Sequence, residues 1–513
     1  MLSEPVRELV ANIQAAEEAH RNAYRGETLE LSTIVGKAAS LYEKLRYMID
    51  YREEHTIRRA ALERILKRRV FIELKAESGL VLLQELVDGK YIPKEFATEE
   101  VAQEIDRIIS KYLELSRLGR ANGSIGRRLI SFAATEIDAH LSPIEYAIDH
   151  ESTEALYRAL KGKVSAYGHS DEETNAQLYC ACWRALLGAD DERLAYALWL
   201  LYVPEWNSSV DVQAVAQKLP MVVGNIRATV GGQLQWRIAP RIKNEAIYFR
   251  IIHKVLESQG GGAARTLESP AQLDRFTRDF LEETYEQENE RIQKSGIRAV
   301  LYLFVTKMTV ALIAELPYEI IVLGGVHYFP LGVNILFHPA LLFALTRRAG
   351  ALDESNTSAI IEGLHGVLYE GKTRTIKLKS TFSGFTVAFS LAYLLLFIFV
   401  FGGVIGVLQL LKFNPVSIAL FLFFLALVSY FAFRIRYRAR RWKLVRPQGT
   451  IGIIVGVLAV PIVRAGEWLS RTFSTINVFV LFLDFIIETP FKRLLHFANQ
   501  FLIYLREKGE EIR

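Results

Sequence analysis

The sequence has only two cysteines in 513 residues, Cys180 and Cys182, and a single residue separates them. A disulfide between such near neighbours is strained, so the chain has no disulfide framework, which fits a reducing cytoplasm. No second Cys or His pair stands at the spacing of a zinc site. Buried packing on an alanine-rich helix is therefore favoured over a metal site, and we expect neither a metal nor a cofactor.

Several motifs of soluble enzymes are also missing. The chain has no strand-linked GxGxxG, no HExxH zinc motif and no GxSxG nucleophile turn. Its histidines are scattered, and each is interpreted as a surface or core residue rather than a ligand or base. The sequence therefore assigns no catalytic residue, and an enzyme is not the favoured interpretation.

A basic leader followed by an apolar run is absent from the first 20 residues, which are amphipathic and acidic, so no secretory signal is expected.

Acidic residues become scarce towards the end of the chain. Residues 1–290 hold 37 Lys and Arg against 45 Asp and Glu, a net −8, and residues 291–513 hold 25 against 12, a net +13. An acidic first part argues against a nucleic-acid site, whereas a basic second part fits anionic lipid headgroups.

What the first part does contain is helical periodicity. Apolar residues recur at helical spacing, which predicts an all-α, cytoplasmic domain over residues 1–259. Thr98 and Ser170 each precede an acidic cluster and are predicted N-caps. The glycines near residue 260 indicate a flexible linker, and a charged stalk helix is predicted to follow up to residue 296.

The second part contains apolar segments long enough to cross a bilayer, which predicts a multi-pass α-helical membrane domain over residues 297–513. Shorter apolar stretches near its end are open to three interpretations: a thin hairpin, re-entrant segments or interfacial helices. The predicted spans are 300–322, 331–346, 385–411 and 416–433, the doubtful stretches are 451–463 and 476–490, and an amphipathic surface helix is predicted at 491–506.

The basic residues give this domain an orientation. The loops 347–380 and 434–446 hold six and seven Lys and Arg, whereas the loops 324–330 and 412–415 hold one between them. The positive-inside rule then places the first part of the chain in the cytoplasm and the protein in the inner cell membrane. Residues expected to contact anionic headgroups or fix topology are Arg434, Arg436, Arg438, Arg440, Arg441 and Lys443.

Ionisable residues stand inside the first predicted span. Lys307, Glu315 and Glu319 share one helical stripe, and Pro317 between the carboxylates removes a helix hydrogen bond. Lys307 and Glu315 are about 12 Å apart along an ideal helix, so each is expected to have a partner elsewhere. Charges in hydrocarbon are costly and mark either a transport path or a structural ion pair.

A similar pattern occurs near the end of the chain, where Asp484 and Glu488 precede Pro490. Broken helices in two halves can mark a transporter site, although coincidence is the favoured interpretation. Pro339 is expected to break the second span, and His338 before it is interpreted as a polar contact in a helical hairpin rather than a proton carrier.

Four stretches of the chain resemble an uncharacterised family of large bacterial multi-pass membrane proteins with an N-terminal helical domain. The resemblance implies the same two-part architecture over most of the chain and no particular activity. The stretches are GLVLLQELVDGKYIP at 79–93, FVTKMTVALIAELPYE at 304–319, NILFHP at 334–339 and VFVLFLDFIIETPFK at 478–492.

Three functions are compatible with these features. The favoured one is a non-enzymatic membrane scaffold or envelope-associated factor whose large helical domain recruits a cytoplasmic protein. The alternative is a transporter or proton-coupled channel that uses the intramembrane charges. An intramembrane enzyme ranks last, because neither GxSG nor paired intramembrane aspartates with protease-like spacing occur.

Overall fold

The chain forms two compact units, which are described separately. The first unit comprises Met1–Glu282 and Asp353–Thr381, and the second comprises Glu283–Leu352 and Phe382–Arg513. Helices dominate both, as the sequence predicts. A computed structural model describes residues 2–23, 54–70, 79–94, 97–121, 123–208, 210–310, 313, 315–347, 354–379, 386–437, 439–444 and 450–475.

The first unit is built from helices and one small parallel sheet. Its helices are α1 (Glu4–Ala23), α2 (Glu54–Ile65), α3 (Gly79–Asp88), α4 (Glu99–Leu118), α5 (Gly123–Leu141), α6 (Pro143–Leu160), α7 (Asp171–Leu187), α8 (Asp191–Tyr202), α9 (Val212–Val230), α10 (Leu234–Ile238), α11 (Lys243–Gln259), α12 (Ala263–Glu268), the first turns of α13 (Pro270–Val310), and α16 (Glu354–Glu370). Its strands are β1 (Val164–Ala166) and β2 (Ile376–Leu378).

Side-chain caps fix where two of these helices begin, as the sequence predicts. The Thr98 hydroxyl accepts a hydrogen bond from the Val101 amide at 3.3 Å, and the Ser170 hydroxyl accepts one from the Glu173 amide at 3.1 Å. Each bond satisfies an amide that the first helical turn leaves without a partner.

Helices α2 to α5 and α7 to α9 share one hydrophobic core, in which Trp183, Trp199 and Trp206 are almost fully buried. Cys180 and Cys182 are also fully buried, which confirms the predicted packing role. Burial raises the pKa of Cys180 to about 12, so its thiol stays protonated at neutral pH.

The segment between the second and third predicted spans is part of the first unit. Helix α16 buries Ile360 and Leu364, and β2 pairs in parallel with β1, with Ser165 opposite Lys377. The sequence places this segment in the membrane domain, because basic residues in a short loop give no sign of tertiary docking.

The boundary between the two parts also differs from the sequence expectation. The glycines at 260–262 form a single 3₁₀ turn inside the first unit, and the boundary between the units falls at Glu282, within α13. Helix α12 follows that turn and buries Ala263 and Leu267, which explains why the glycines do not separate domains.

The second unit contains the apolar helices. They are the remainder of α13, α14 (Leu316–Val322), α15 (Tyr328–Arg347), α17 (Thr386–Leu410), α18 (Pro415–Tyr437) and α19 (Thr450–Thr475). Among the residues that the structure describes, three segments are long and apolar enough to cross a membrane: Tyr328–Thr346, Ala388–Leu410 and Pro415–Ile435. They coincide with three of the four predicted spans.

The remaining segments of this unit differ from a set of simple spans. Residues 300–322 are divided between α13 and α14, with π-helical geometry at Ile313 and Glu315 between them, and this stretch is called the interrupted helix below. Helix α15 begins at Tyr328 and passes through Pro339, which therefore does not break it. The doubtful stretch 451–463 belongs to the longer helix α19, which passes through Pro461. The predicted segments 476–490 and 491–506 lie outside the described residues.

Close backbone contacts hold these helices together. A Cβ at Gly296 on α13 would lie 2.9 Å from the Thr346 hydroxyl on α15, and a Cβ at Gly466 on α19 would lie 2.0 Å from the Ala426 carbonyl on α18. Small residues at such crossings let two helix backbones approach closely, which is the usual packing solution in lipid.

Candidate functional site

The interrupted helix positions the acidic part of the site. Ile313 and Glu315 have π-helical geometry between α13 and α14, and Pro317 occupies the first turn of α14. Proline has no amide hydrogen, so it cannot continue the hydrogen-bond pattern of α13. A π-helical irregularity is a frequent feature of functional sites. The Glu315 and Glu319 side chains on either side of this proline are both buried.

Lys307 lies on the last turn of α13 and is 2% exposed. Its Nζ donates a hydrogen bond to Asn334 Oδ1 at 2.5 Å and lies 4.4 Å from the centre of the Phe424 ring. A cation over an aromatic face is stabilised electrostatically, and more strongly where water is excluded. The ammonium group is thus held by α15 and α18.

Asn334 on α15 connects Lys307 to Glu315. Its Nδ2 donates to both carboxylate oxygens of Glu315 at 2.9 Å, while its Oδ1 accepts from Lys307. The Ser417 hydroxyl on α18 donates a further hydrogen bond to Glu315. Lys307 and Glu315 therefore each have a polar partner on another helix, as their separation along the helix predicts.

A second group continues the network at the start of α18. Asn414 caps this helix by accepting a hydrogen bond from the Ser417 amide at 2.8 Å, and its Nδ2 donates to Glu319 Oε1 at 2.9 Å. The other Glu319 oxygen accepts from the His327 amide at 2.8 Å. The seven residues Lys307, Glu315, Glu319, Asn334, His338, Asn414 and Ser417 are called the polar cluster below.

His338 borders the cluster one turn after Asn334. Its ring nitrogens lie 2.9 Å from the Phe421 carbonyl and 3.3 Å from the Asn334 carbonyl, and the side chain is fully buried. The 2.9 Å contact places the proton on Nε2 in the neutral tautomer, because a carbonyl oxygen can only accept. This geometry matches a polar contact between α15 and α18.

The side chains of the cluster are buried. Its seven side chains are between 0% and 9% exposed, and each of them makes at least one hydrogen bond. Hydrogen-bond partners are what keep buried polar groups from destabilising an apolar interior. The arrangement holds α13, α14, α15 and α18 in one register. Within the described part of the chain, no group of three or more His, Cys, Asp or Glu residues could hold a metal ion.

The sequence predicts the charged members of the polar cluster but not three of its uncharged polar members, Asn334, Asn414 and Ser417. Each stands within or beside an apolar run, and that position is the available signal. Asp484, Glu488 and Pro490 lie outside the described residues, so their predicted part in a transport path or a structural ion pair stays a prediction.

The basic residues at the end of α18 are placed less completely. Arg434 is exposed on the last turns of α18, and Arg441 and Lys443 fall in the short described segment 439–444. Arg436 and Arg440 belong to described backbone, while Arg438 is outside the described residues. Their predicted contact with lipid headgroups stays a prediction.

One motif match is excluded by its structural context. Residues 366–373, GVLYEGKT, fit the GxxxxGK[ST] phosphate-loop pattern. A phosphate loop connects a strand to the helix that follows it, whereas here the pattern begins inside α16 and a strand follows. Lys372 pairs with Glu370, and the Thr373 hydroxyl donates to the Ala159 carbonyl at 2.9 Å. The segment connects α16 to β2 and does not form a nucleotide site.

Comparison with protein-family models, with curated proteins and with solved structures found no match for this chain.

Proposed function

We propose that this protein is a multi-pass scaffold of the inner cell membrane whose first unit binds a partner protein at the cytoplasmic surface. The observation that carries the proposal is the docking of residues 354–379 into the first unit. This segment follows α15 and precedes α17, two helices apolar enough to cross a membrane. The chain therefore connects the two units at three places, as a platform requires.

Several contacts hold this segment in the first unit. His365 on α16 pairs with Asp274 at 2.7 Å, and the Tyr369 hydroxyl donates to the Leu267 carbonyl at 2.9 Å. The Ser3 amide donates to the Leu368 carbonyl at 2.6 Å. Such a segment gives the first unit a fixed surface, which suits protein recruitment better than a freely moving tether.

The same docking supports the sidedness of the proposal. Residues 283–352 begin and end at the first unit, so they cross the bilayer an even number of times. The 13 Lys and Arg of the two predicted inner loops, against one in the predicted outer loops, favour the cytoplasmic side. Anionic headgroups at that surface are the lipid partners we propose for the basic residues after α18.

The polar cluster supports a structural role for the intramembrane charges. A transport path requires water or substrate to reach its ionisable groups, and the cluster residues are buried and hydrogen-bonded to each other. Their proposed task is to hold the interrupted helix against α15 and α18.

The test uses the full-length protein in intact cells, with a photo-crosslinking amino acid at exposed apolar positions of the first unit. Tyr167, Met221 and Trp236 are 75%, 60% and 55% exposed. Ile398 on α17 is 58% exposed and serves as the control. We expect a discrete protein adduct from at least one of the three positions and lipid adducts alone from Ile398. Absence of any protein adduct from all three would contradict recruitment.

A transporter is the second candidate, because the interrupted helix carries Lys307 and two carboxylates at the position where transporters place their sites. The wild-type protein and Glu315→Gln are reconstituted in liposomes, and proton and sodium flux are measured. The scaffold predicts no flux above that of protein-free vesicles. A wild-type flux that Glu315→Gln abolishes at an unchanged melting temperature would replace the scaffold by a transporter.

A further inference from the structure

An apolar groove lies between α17, α18 and α19, away from the polar cluster. Its volume is about 500 Å³. Tyr393, Phe397 and Phe401 line one wall at intervals of four residues, so they share one face of α17. Phe423 on α18 and Trp468 on α19 contribute to the other walls.

The lining determines which chemistry can occupy the groove. It is made almost entirely of aromatic and aliphatic side chains, so a polar ligand would lose its hydrogen bonds to water without replacement. Two of the three helices, α17 and α18, contain candidate membrane spans. Acyl chains are the apolar molecules that surround such helices.

Arg464 is the one charged side chain in the lining. Its side chain is 70% exposed, and its guanidinium lies 3.8 Å from Glu467, beyond hydrogen-bond distance. Glu467 is held more closely by Arg471, at 2.7 Å. A guanidinium has five N–H donors and matches the geometry of a phosphate, so Arg464 retains donors for an anionic group.

We infer that the groove binds one acyl chain of an anionic phospholipid, whose phosphate is recognised by Arg464. Charge complementarity selects this occupant over a zwitterionic lipid, and the aromatic walls contact the chain. The inference rests on the membrane location proposed above and is independent of the scaffold role.

The test measures quenching of Trp468 fluorescence by brominated lipids in reconstituted vesicles. A Trp442→Phe background leaves Trp468 as the only tryptophan of the second unit. In the same background, a Trp468→Phe variant gives the fluorescence of the first unit's tryptophans, which is subtracted. Brominated phosphatidylglycerol is titrated against brominated phosphatidylcholine. We expect the anionic lipid to be preferred about fivefold, the effect of one basic side chain at an anionic surface.

Three variants assign this preference to the groove. Arg464→Gln removes the cation, and Ala465→Phe fills the groove. We expect each of them to abolish the preference for the anionic lipid. Glu467→Gln on the same helix is the control and should retain it, because Glu467 does not line the groove and its replacement leaves Arg464 in place. Circular dichroism in detergent checks that each variant is folded.

Other results would overturn the inference. Equal quenching by the two lipids in the wild-type background means that only bulk lipid contacts Trp468. A preference that survives Ala465→Phe, or that Glu467→Gln abolishes equally, places the anionic site elsewhere. No quenching by either lipid means that protein fills the groove. Failure to enter vesicles at all would contradict the membrane location instead.

Discussion

Asn334 is the residue through which the buried ammonium and carboxylate of the polar cluster interact. It accepts from Lys307 at 2.5 Å and donates to Glu315 at 2.9 Å. An apolar side chain at this position would leave both charges buried without their common partner. The cluster therefore behaves as one unit, and its members contribute non-additively to stability.

We expect Asn334→Leu to destabilise the protein by about 3–5 kcal/mol, the usual cost of breaking a buried charged pair. The melting temperature of purified protein in detergent measures the effect. Leu336→Ala on the same helix is the control, because Leu336 is 60% exposed and should change stability little. The triple variant Lys307→Met, Glu315→Met and Asn334→Leu should recover much of the loss. Equal stability of Asn334→Leu and the wild type would show that the bridge contributes nothing.

Asp149 in the first unit supplies a stability term that depends on pH. Burial alone would raise the pKa of this carboxyl, but the hydrogen bond with His253 at 2.6 Å and the guanidinium of Arg193 hold it below its usual range. A carboxylate whose pKa is lowered by folding stabilises the native state above its unfolded pKa. That contribution is lost as the pH falls through the folded pKa.

We therefore expect Asp149→Asn to destabilise the protein at neutral pH and to matter less in acid. The free energies of unfolding of the wild type and of Asp149→Asn should become more similar as the pH falls. This change should take place between about pH 5 and a pH below the ordinary aspartate pKa of about 3.9. Denaturant unfolding followed by tryptophan fluorescence at several pH values gives this difference. A difference independent of pH would mean that the contacts of Asp149 do not depend on its charge.

The residues of the site were not equally predictable from the sequence. Lys307, Glu315 and Glu319 could be found, because a charge within an apolar segment is rare and costly. Asn334, Asn414 and Ser417 could not, because a single amide or hydroxyl in such a segment can bond to its own helix or end a turn. Only the approach of α15 and α18 to the interrupted helix shows that these three contact the carboxylates.

Among the helices, α16 is the least predictable from sequence, since its role depends on partners far away in the chain. Its docking against α11 needs a glycine. A Cβ at Gly363 would lie 2.1 Å from the Tyr248 hydroxyl, whereas a Cβ at Gly366 would meet only Lys372, at 3.8 Å. Substitution of Gly363 therefore tests the packing of α16 against α11, whereas substitution of Gly366 tests helix propensity alone.

We expect Gly363→Ala to destabilise the first unit by about 1–3 kcal/mol through overpacking. Gly366→Ala should be neutral or stabilise by up to about 1 kcal/mol, because alanine favours the helix more than glycine does. Tyr248→Ala combined with Gly363→Ala should remove the overpacking. Melting temperatures of the four proteins test this, and identical effects of the two glycine substitutions would contradict the docked position of α16.

The contact between α18 and α19 offers a parallel test in the second unit. A Cβ at Gly466 would lie 2.0 Å from the Ala426 carbonyl, which belongs to backbone and cannot rotate away. We expect Gly466→Ala to reduce stability by about 1–3 kcal/mol, which a lower melting temperature in detergent would show. Gly456→Ala on the same helix meets nothing within 4 Å and is the control. A harmless Gly466→Ala would mean that these helices are not in close contact.

At the scale of the whole molecule, the two-part architecture could be predicted because charge and hydropathy change at the same point of the chain. The boundary itself could not, because α13 runs continuously through Glu282 and carries no break in helical pattern there. The return of residues 354–379 to the first unit also left no local signal. These residues are basic, from which the sequence predicts an inner loop, and their buried face is typical of any short amphipathic helix.

The sidedness of the chain can be tested without removing the native thiols, because Cys180 and Cys182 are fully buried and should not react. Gly325→Cys and Lys412→Cys lie in the two predicted outer loops, and Lys218→Cys and Glu370→Cys lie in the first unit. A membrane-impermeant maleimide added to intact spheroplasts should label the first pair and reach the second pair only after permeabilisation. Labelling of Lys218→Cys and Glu370→Cys in intact spheroplasts would reverse the topology. Labelling of only one of Lys218→Cys and Glu370→Cys would place the two ends of residues 283–352 on opposite sides of the bilayer. That result would contradict the common membership of the two positions in the first unit.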